Sequence, residues 1–153
     1  MTAFQNLVTF YAGTEGTFIL MVMAYVLSYD KINMIVVVLY ICANVYVMAF
    51  LKVLFVDPRP YVVDSLVKNL EWKCEITYGF PSGHTWILLL LHEPIVTDLF
   101  GCGPFKIGLS YCLLLAVFVP WSRMYLGSHS ADQLINGLFY SLAFLVLYRF
   151  YFR

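Results

Sequence analysis

Five long apolar runs separated by short polar islands set the pattern of this chain. The first covers residues 14–29, with Glu15 near its start and Asp30-Lys31 closing it. The second, 32–56, is the longest and is rich in Val and Ile; only Asn33, Asn44 and Lys52 interrupt it. The remaining three are 83–100, 105–120 and 131–148, the last followed by Arg149 and Arg153. Runs of this kind predict membrane-spanning helices, which need about 20 apolar residues. The first is short, so it either stands with little tilt or extends backwards. Residues 1–13 carry Phe4, Leu7, Val8, Phe10 and Tyr11 with no charge. That spacing predicts an amphipathic segment in the membrane interface, with a disordered end as the alternative.

The breaks between runs have local causes. In Asp57-Pro58-Arg59-Pro60 each proline lacks an amide hydrogen and disfavours helix at the residue before it, so the second helix must stop there and Arg59 is held between two rigid neighbours. Residues 61–80 are the only long polar loop, the body of a polar region 57–81 in which Asp64, Lys68, Glu71, Lys73 and Glu75 alternate with Trp72 and Tyr78. Its charges nearly balance, as in any solvated loop, but beside a site such a loop is where substrate is selected. Pro81-Ser82-Gly83-His84 opens the third run: Ser82 is expected as N-cap, Gly83 permits close backbone approach to an anion, and His84 falls in the first turn. Gly101-Cys102-Gly103-Pro104 is a turn, with Lys106 just beyond it. His92-Glu93-Pro94 lies in the middle of the third run, where ionisable groups are costly. The expected reading there is structural: Pro94 kinks the helix, and the two side chains pair with each other or with water.

Composition agrees with a membrane protein. At 153 residues the chain is one domain, 1–153, with 62% hydrophobic and only 12% charged residues, unlike a soluble globule. A formal net charge of zero points away from a nucleic-acid partner. No Lys or Arg precedes Lys31, which argues against a secretory signal peptide. Cys42, Cys74, Cys102 and Cys112 are scattered without metal-ligand spacing and read as small packing residues.

Candidate chemistry gathers at residues 122–133, where Arg123, His129 and Asp132 stand together between apolar runs. An arginine can hold phosphate oxygens and an imidazole can attack phosphorus. Ser130 with Gln133 forms a capping box, so a helix is expected from Ala131 with His129 just before its positive end. Two other islands, Lys52 with Arg59-Pro60 and Pro81-Ser82-Gly83-His84, complete a set of three. In five alternating spans all three islands reach one face. Pooled cations imply a phosphate-type anion: Lys52, Arg59 and Arg123 to bind it, with Ser82 and Gly83 at the helix start.

In order and spacing these islands resemble the three signature motifs of the type 2 phosphatidic acid phosphatase superfamily, over residues 52–133. The resemblance implies an all-α integral membrane bundle similar to the superfamily's six-helix core, of which about five transmembrane helices are counted. It implies His129 as nucleophile, through a phosphohistidine, and His84 as acid and then base, with no metal and no cofactor. The family commonly has an acid four residues after the nucleophile; here that residue is Gln133, and Asp132 is expected to orient His129 instead. Glutamine in this position also resembles glucose-6-phosphatase. The expected activity is therefore hydrolysis of a lipid phosphate monoester or diphosphate, with a phospholipid or polyprenyl phosphate as substrate. The alternatives are a hydrolase of a soluble sugar phosphate and a catalytically silent or truncated phospholipid-binding protein. The short loops holding Lys31, Lys106, Arg149 and Arg153 place the site on the luminal or extracytoplasmic side of a multi-pass protein by the positive-inside rule; endoplasmic reticulum and plasma membrane are not distinguished.

Overall fold

The helix over residues 83–100 sits at the centre, because five other helices pack against it. The computed structural model describes residues 2–72, 75, 77–100 and 105–152, with 98–100 and 105–109 as backbone only. Helices are α1 (Thr2–Ala12), α2 (Thr14–Leu27), α3 (Lys31–Phe55), the single turn α4 (Pro60–Val63), α5 (Gly83–Phe100), α6 (Phe105–Tyr125) and α7 (Ala131–Phe152). Among the described residues there is no strand. The expected turn at 101–104, Lys73, Cys74 and Arg153 lie outside the described residues, as does the side chain of Lys106.

The all-helical expectation holds, and each of the five runs is a helix. The first run forms α2, and α1 stands directly before it. The two helices are bent by 51° and pass together as one candidate span, beside Lys31–Val63 and Ala131–Phe152. The bend falls at Gly13, where an added Cβ would meet Thr9 O at 3.0 Å. The predicted interfacial segment is thus α1, and one face of it is packed in the bundle. Gln5, Asn6 and Ala12 are buried while Phe4, Leu7 and Phe10 face outward.

Packing joins the ends of the bundle to the site. On one side Ala24, Met34, Val37, Ile41, Leu91, Ile95 and Tyr148 form an apolar cluster between α2, α3, α5 and α7. Trp86, fully buried, stacks on Tyr140 at 4.6 Å and donates to Asn44 Oδ1 at 3.3 Å, tying α5 to α7 and to α3. Gly137 lets α7 lie directly against the start of α5: a Cβ there would meet Thr85 Oγ1 and, at 2.8 Å, Ser82 O. This close approach brings the start of α7, with His129 just before it, beside Ser82. The exposed surface carries many large apolar side chains, among them Phe18, Leu39, Phe50, Val117 and Phe139, as a lipid-facing bundle requires.

His92 and Glu93 are packed structurally, but not by pairing with each other. His92 Nδ1 meets Tyr111 OH at 3.1 Å and its ring stacks on Tyr11 at 5.2 Å, whereas Glu93 pairs with Arg149. The helix runs on through Pro94. Cys42 is exposed and Cys112 buried, both free.

Candidate active site

The chain leaves α3 through a strained residue. Val56 adopts φ 50° and ψ 31°, the left-handed region that a β-branched side chain enters only under constraint, at about 1–3 kcal/mol. Its amide still bonds Lys52 O at 3.1 Å, and the prolines that follow bar further helix. The turn folds Arg59 inward to 2% exposure. Arg59 Nε donates to Thr77 O at 2.7 Å and Nη1 to Ser128 O at 3.2 Å, and Nη1 lies 3.3 Å from His129 Nε2. Lys52 does not snorkel to the surface. It is buried and donates to Tyr78 O at 2.5 Å.

Arg123, on the last turn of α6, is fully buried. Its carbonyl accepts the Ser128 amide at 3.1 Å across a turn in which Gly127 has φ 74°. Any side chain at 127 would also meet Lys68 O at 2.6 Å, because the polar loop rests on this turn. Leu70 N bonds Leu126 O at 3.0 Å, and Trp72 N bonds Asn6 Oδ1 on α1 at 3.1 Å.

The loop contributes what the sequence did not disclose. Arg59 Nη2 pairs with Glu75, Arg123 Nη1 with Glu71, and Arg123 Nη2 reaches Glu75 Oε1 at 3.1 Å. Two guanidinium groups therefore converge on one carboxylate. His84 Nδ1 is 3.8 Å from Glu75 Oε1, and a ring nitrogen of His84, one of His129 and an oxygen of Glu75 all lie within 4.8 Å of one another. By distance this trio could hold a metal ion, but Glu75 already has two cationic partners and Lys52 adds a third charge nearby. An anion is the better-matched ligand.

Several donors of the site residues have no hydrogen-bond partner among the described residues. Ser82 Oγ, Ser128 Oγ and Arg123 Nε are buried without hydrogen bonds among the described residues. Ser82 precedes α5 as expected, yet its hydroxyl makes no capping bond; its carbonyl accepts from Trp86 N at 3.0 Å and its amide donates to Gln133 O at 3.1 Å. The clearance at Gly83 faces Met48 Sδ of α3, which a Cβ would meet at 2.9 Å.

His129 is 2% exposed. Burial above all, then Arg123, Arg59, His84 and Lys52, holds its pKa well below the ordinary 6.5, so the ring is neutral near pH 7 and keeps a lone pair. The neighbour of its Nδ1 is not Asp132. Asp132 is exposed on the outer side of the first turn of α7, whereas Gln133, one position on, is buried and places Oε1 at 3.1 Å from Nδ1. A 100° step per residue carries the next side chain round to the inner face. The capping box is half formed, Ser130 N donating to Gln133 Oε1 at 3.3 Å.

Every sequence-derived site residue except Asp132 thus lies in or beside one cluster. Glu71, Glu75, Thr77, Ser128 and Asp57 were not singled out. A usable signal existed for the glutamates: a neutral chain that pools three cations needs carboxylates near them, and 61–80 is the only long polar segment. From this cluster a cavity of about 510 Å³ extends between α1, α2, α3 and α5. Lys52, Glu75 and His84 line its polar part, and Phe10, Met48 and Ile87 its apolar part.

Residues 33–153 match the PAP2 superfamily. In three dimensions the chain is similar to a structure described as the first transmembrane PAP2 type phosphatidylglycerolphosphate phosphatase from Bacillus subtilis, with TM-score 0.78 and 20% identity, over 99% of this chain and 79% of that one. No curated protein matches the sequence.

Proposed function

From the premise that the chain belongs to the PAP2 superfamily, we propose that this membrane phosphatase hydrolyses a lipid phosphate monoester or diphosphate through a phosphohistidine, without a metal. The observation that carries this reading is the convergence of Arg59 and Arg123 on one carboxylate beside two imidazoles. A carboxylate held there by the protein marks the seat of an anion, and the carboxyl oxygens of Glu75 stand in for phosphate oxygens.

In this reading the substrate phosphate displaces Glu75 and is bound by Arg59, Arg123 and Lys52, with Ser82, the Gly83 amide and Ser128 as further donors. His129 Nε2 attacks phosphorus in line with the bridging oxygen, and the P–O bond to the leaving alkoxide breaks as His84 donates its proton to that oxygen. Water then attacks the phosphohistidine, His84 takes its proton, and inorganic phosphate leaves. The guanidinium groups stabilise charge on the equatorial oxygens throughout.

The lipid substrate is supported by the apolar side chains that line the cavity, Phe10, Met48 and Ile87 among them, which suit an acyl or prenyl chain better than a sugar ring. A soluble sugar phosphate remains the second reading, since Gln133 follows the nucleophile at the position where glucose-6-phosphatase carries glutamine. We further propose a multi-pass arrangement of five spans, with the site on the side opposite Lys31 and Arg149. A panel of phosphatidate, polyprenyl diphosphate and glucose phosphate, assayed in detergent with excess chelator, tests the substrate. Phosphate release from a lipid, blocked by vanadate, is expected; turnover of glucose phosphate alone, or complete dependence on added magnesium, would overturn the proposal.

A further inference from the structure

Asp57 was read from sequence only as the end of a helix, but its carboxylate has a specific partner. Gln133 Nε2 donates to Asp57 Oδ2 at 2.6 Å and to Pro58 O at 3.0 Å. Both partners are acceptors, so the amide nitrogen must face them, because an amide oxygen in that place would be repelled twice. Gln133 Oε1 is thereby turned to His129 Nδ1 at 3.1 Å and to the Ser130 amide at 3.3 Å. An oxygen there can only accept, so Nδ1 carries the hydrogen. Nε2 then carries the lone pair, and it is this nitrogen that lies 3.3 Å from Arg59 Nη1.

We propose that Asp57 is a positioning residue which, acting through the Gln133 amide, fixes the Nδ1–H tautomer of His129 and supports the charge of its ring during turnover. This rests on the reading of His129 as nucleophile. When Nε2 bonds to phosphorus the ring becomes cationic and Nδ1–H donates more strongly to Oε1. The opposite end of the same amide is anchored on a carboxylate, so the anionic charge sits one amide away from the histidine rather than in contact with it.

The sequence around the amide is shaped to this arrangement. Gly79 lies against Gln133: an added Cβ would meet its Nε2, its Oε1 at 2.6 Å and its Cδ at 2.7 Å. The Gly79 amide in turn bonds Asp57 O at 2.8 Å. Because Asp57 and Arg59 share one proline-locked turn, the segment that binds the phosphate also sets the nucleophile's tautomer.

The test uses the full-length protein in detergent and a cycle of variants. Asp57→Leu removes the carboxylate acceptor of Gln133 Nε2 and leaves Pro58 O as the amide's remaining anchor, so the Nδ1–H tautomer of His129 should lose population to the Nε2–H form. The 15N shifts of His129 should report that change without any turnover. With a lipid phosphate substrate kcat should fall by about 10- to 100-fold, the range for a lost supporting partner, with KM changed far less. Gln133→Glu alone sets two carboxylates against each other and should also be impaired. Combined with Asp57→Asn it restores an acceptor at Nδ1 and a donor behind it, so the double variant should recover much of kcat and the Nδ1–H signature. An unchanged tautomer in Asp57→Leu, or a double variant of Asp57→Asn with Gln133→Glu no better than Gln133→Glu alone, would overturn the relay. Loss of the phosphohistidine reading alone would appear differently: His129→Ala would remain active while the tautomer shift in Asp57→Leu persisted.

Discussion

Two polar clusters among the described residues of the bundle are built on opposite terms. In the interior, Tyr11, His92 and Tyr111 join one stacked, hydrogen-bonded group and Glu93 pairs with Arg149 and lies beside Thr97. One acid meets one base, and the histidine has the Tyr111 hydroxyl and the rings of Tyr11 and Tyr111 as its partners among the described residues. At the mouth, Lys52, Arg59 and Arg123 face two glutamates and two histidines, while Ser82 Oγ, Ser128 Oγ and Arg123 Nε have no protein partner among the described residues. The cluster that serves packing is charge-balanced, and its atom without a hydrogen bond among the described residues is an acceptor, Glu93 Oε2, not a donor. A cluster that serves a ligand keeps surplus cations and open donors, and uses its own carboxylates as a removable substitute.

The two histidines break this comparison most sharply. His129→Ala should lower turnover by at least about 10³-fold and abolish trapping of a phosphoenzyme, because no neighbouring group can take over the attack. His92→Phe keeps the ring stacked on Tyr11 and loses one hydrogen bond, so it should cost about 1–2 kcal/mol of stability and leave kcat within about twofold. Phosphate-release assays and melting curves of both variants check the pair. Similar kinetic losses would mean that the interior cluster also takes part in the chemistry.

Glu75→Gln probes the substitute anion. Removing the charge leaves Arg59 and Arg123 short of a counterion, so the free protein should melt at lower temperature. Phosphate or vanadate should then bind about 10-fold more tightly, a difference of about 1.4 kcal/mol, and restore much of the lost stability. Weaker binding in the variant would show that Glu75 supports the phosphate instead of competing with it.

How far these clusters could be read in the sequence depends on how local their causes are. Proline and capping chemistry made the end of α3 and the start of α7 visible, and the three motif islands pointed to Lys52, Arg59, His84, Arg123 and His129 as neighbours. Contacts made by the 61–80 loop depend on where it folds back. Glu71 and Glu75 therefore looked like solvated charges, although they lie against Arg123 and Arg59. Asp132 and Gln133 were separable only by helical phase, and one residue of phase put the wrong one inward. The join of α1 and α2 shows the same limit: Gly13 looked like an ordinary boundary, yet it is a bend between two helices that pass together as one candidate span.

Acid pH should weaken the mouth. The folded-state pKa of His129 lies below its unfolded value of 6.5, so above that value both states are neutral there and the group adds no pH dependence. As pH falls below about 6.5 the unfolded state gains a proton that the folded ring refuses, and stability declines. Lys52, Arg59, Arg123 and His84 oppose that proton, with Glu75 as the nearby counter-charge. Melting curves across this range should show a smaller decline in His129→Gln than in wild type, and an equal decline would assign the acid sensitivity to another group.

The smallest effect expected is at the interior ion pair, and its size sharpens the contrast. Glu93 and Arg149 are only partly buried, with side chains 20% and 36% exposed, so solvent screens their attraction and limits it to roughly 0.5–1 kcal/mol. Glu93→Gln keeps the shape and an acceptor for Thr97, and should lower the melting temperature slightly. Arg149→Met should do about the same, and the double variant should lose little beyond either single one, since the two changes remove one shared interaction. Neither should alter kcat, because the pair has no contact with the cations or imidazoles of the mouth. A kcat loss above about fivefold in Glu93→Gln, with melting unchanged, would mean that α5 transmits this pair's state to His84 at its other end and that the two clusters are one functional unit.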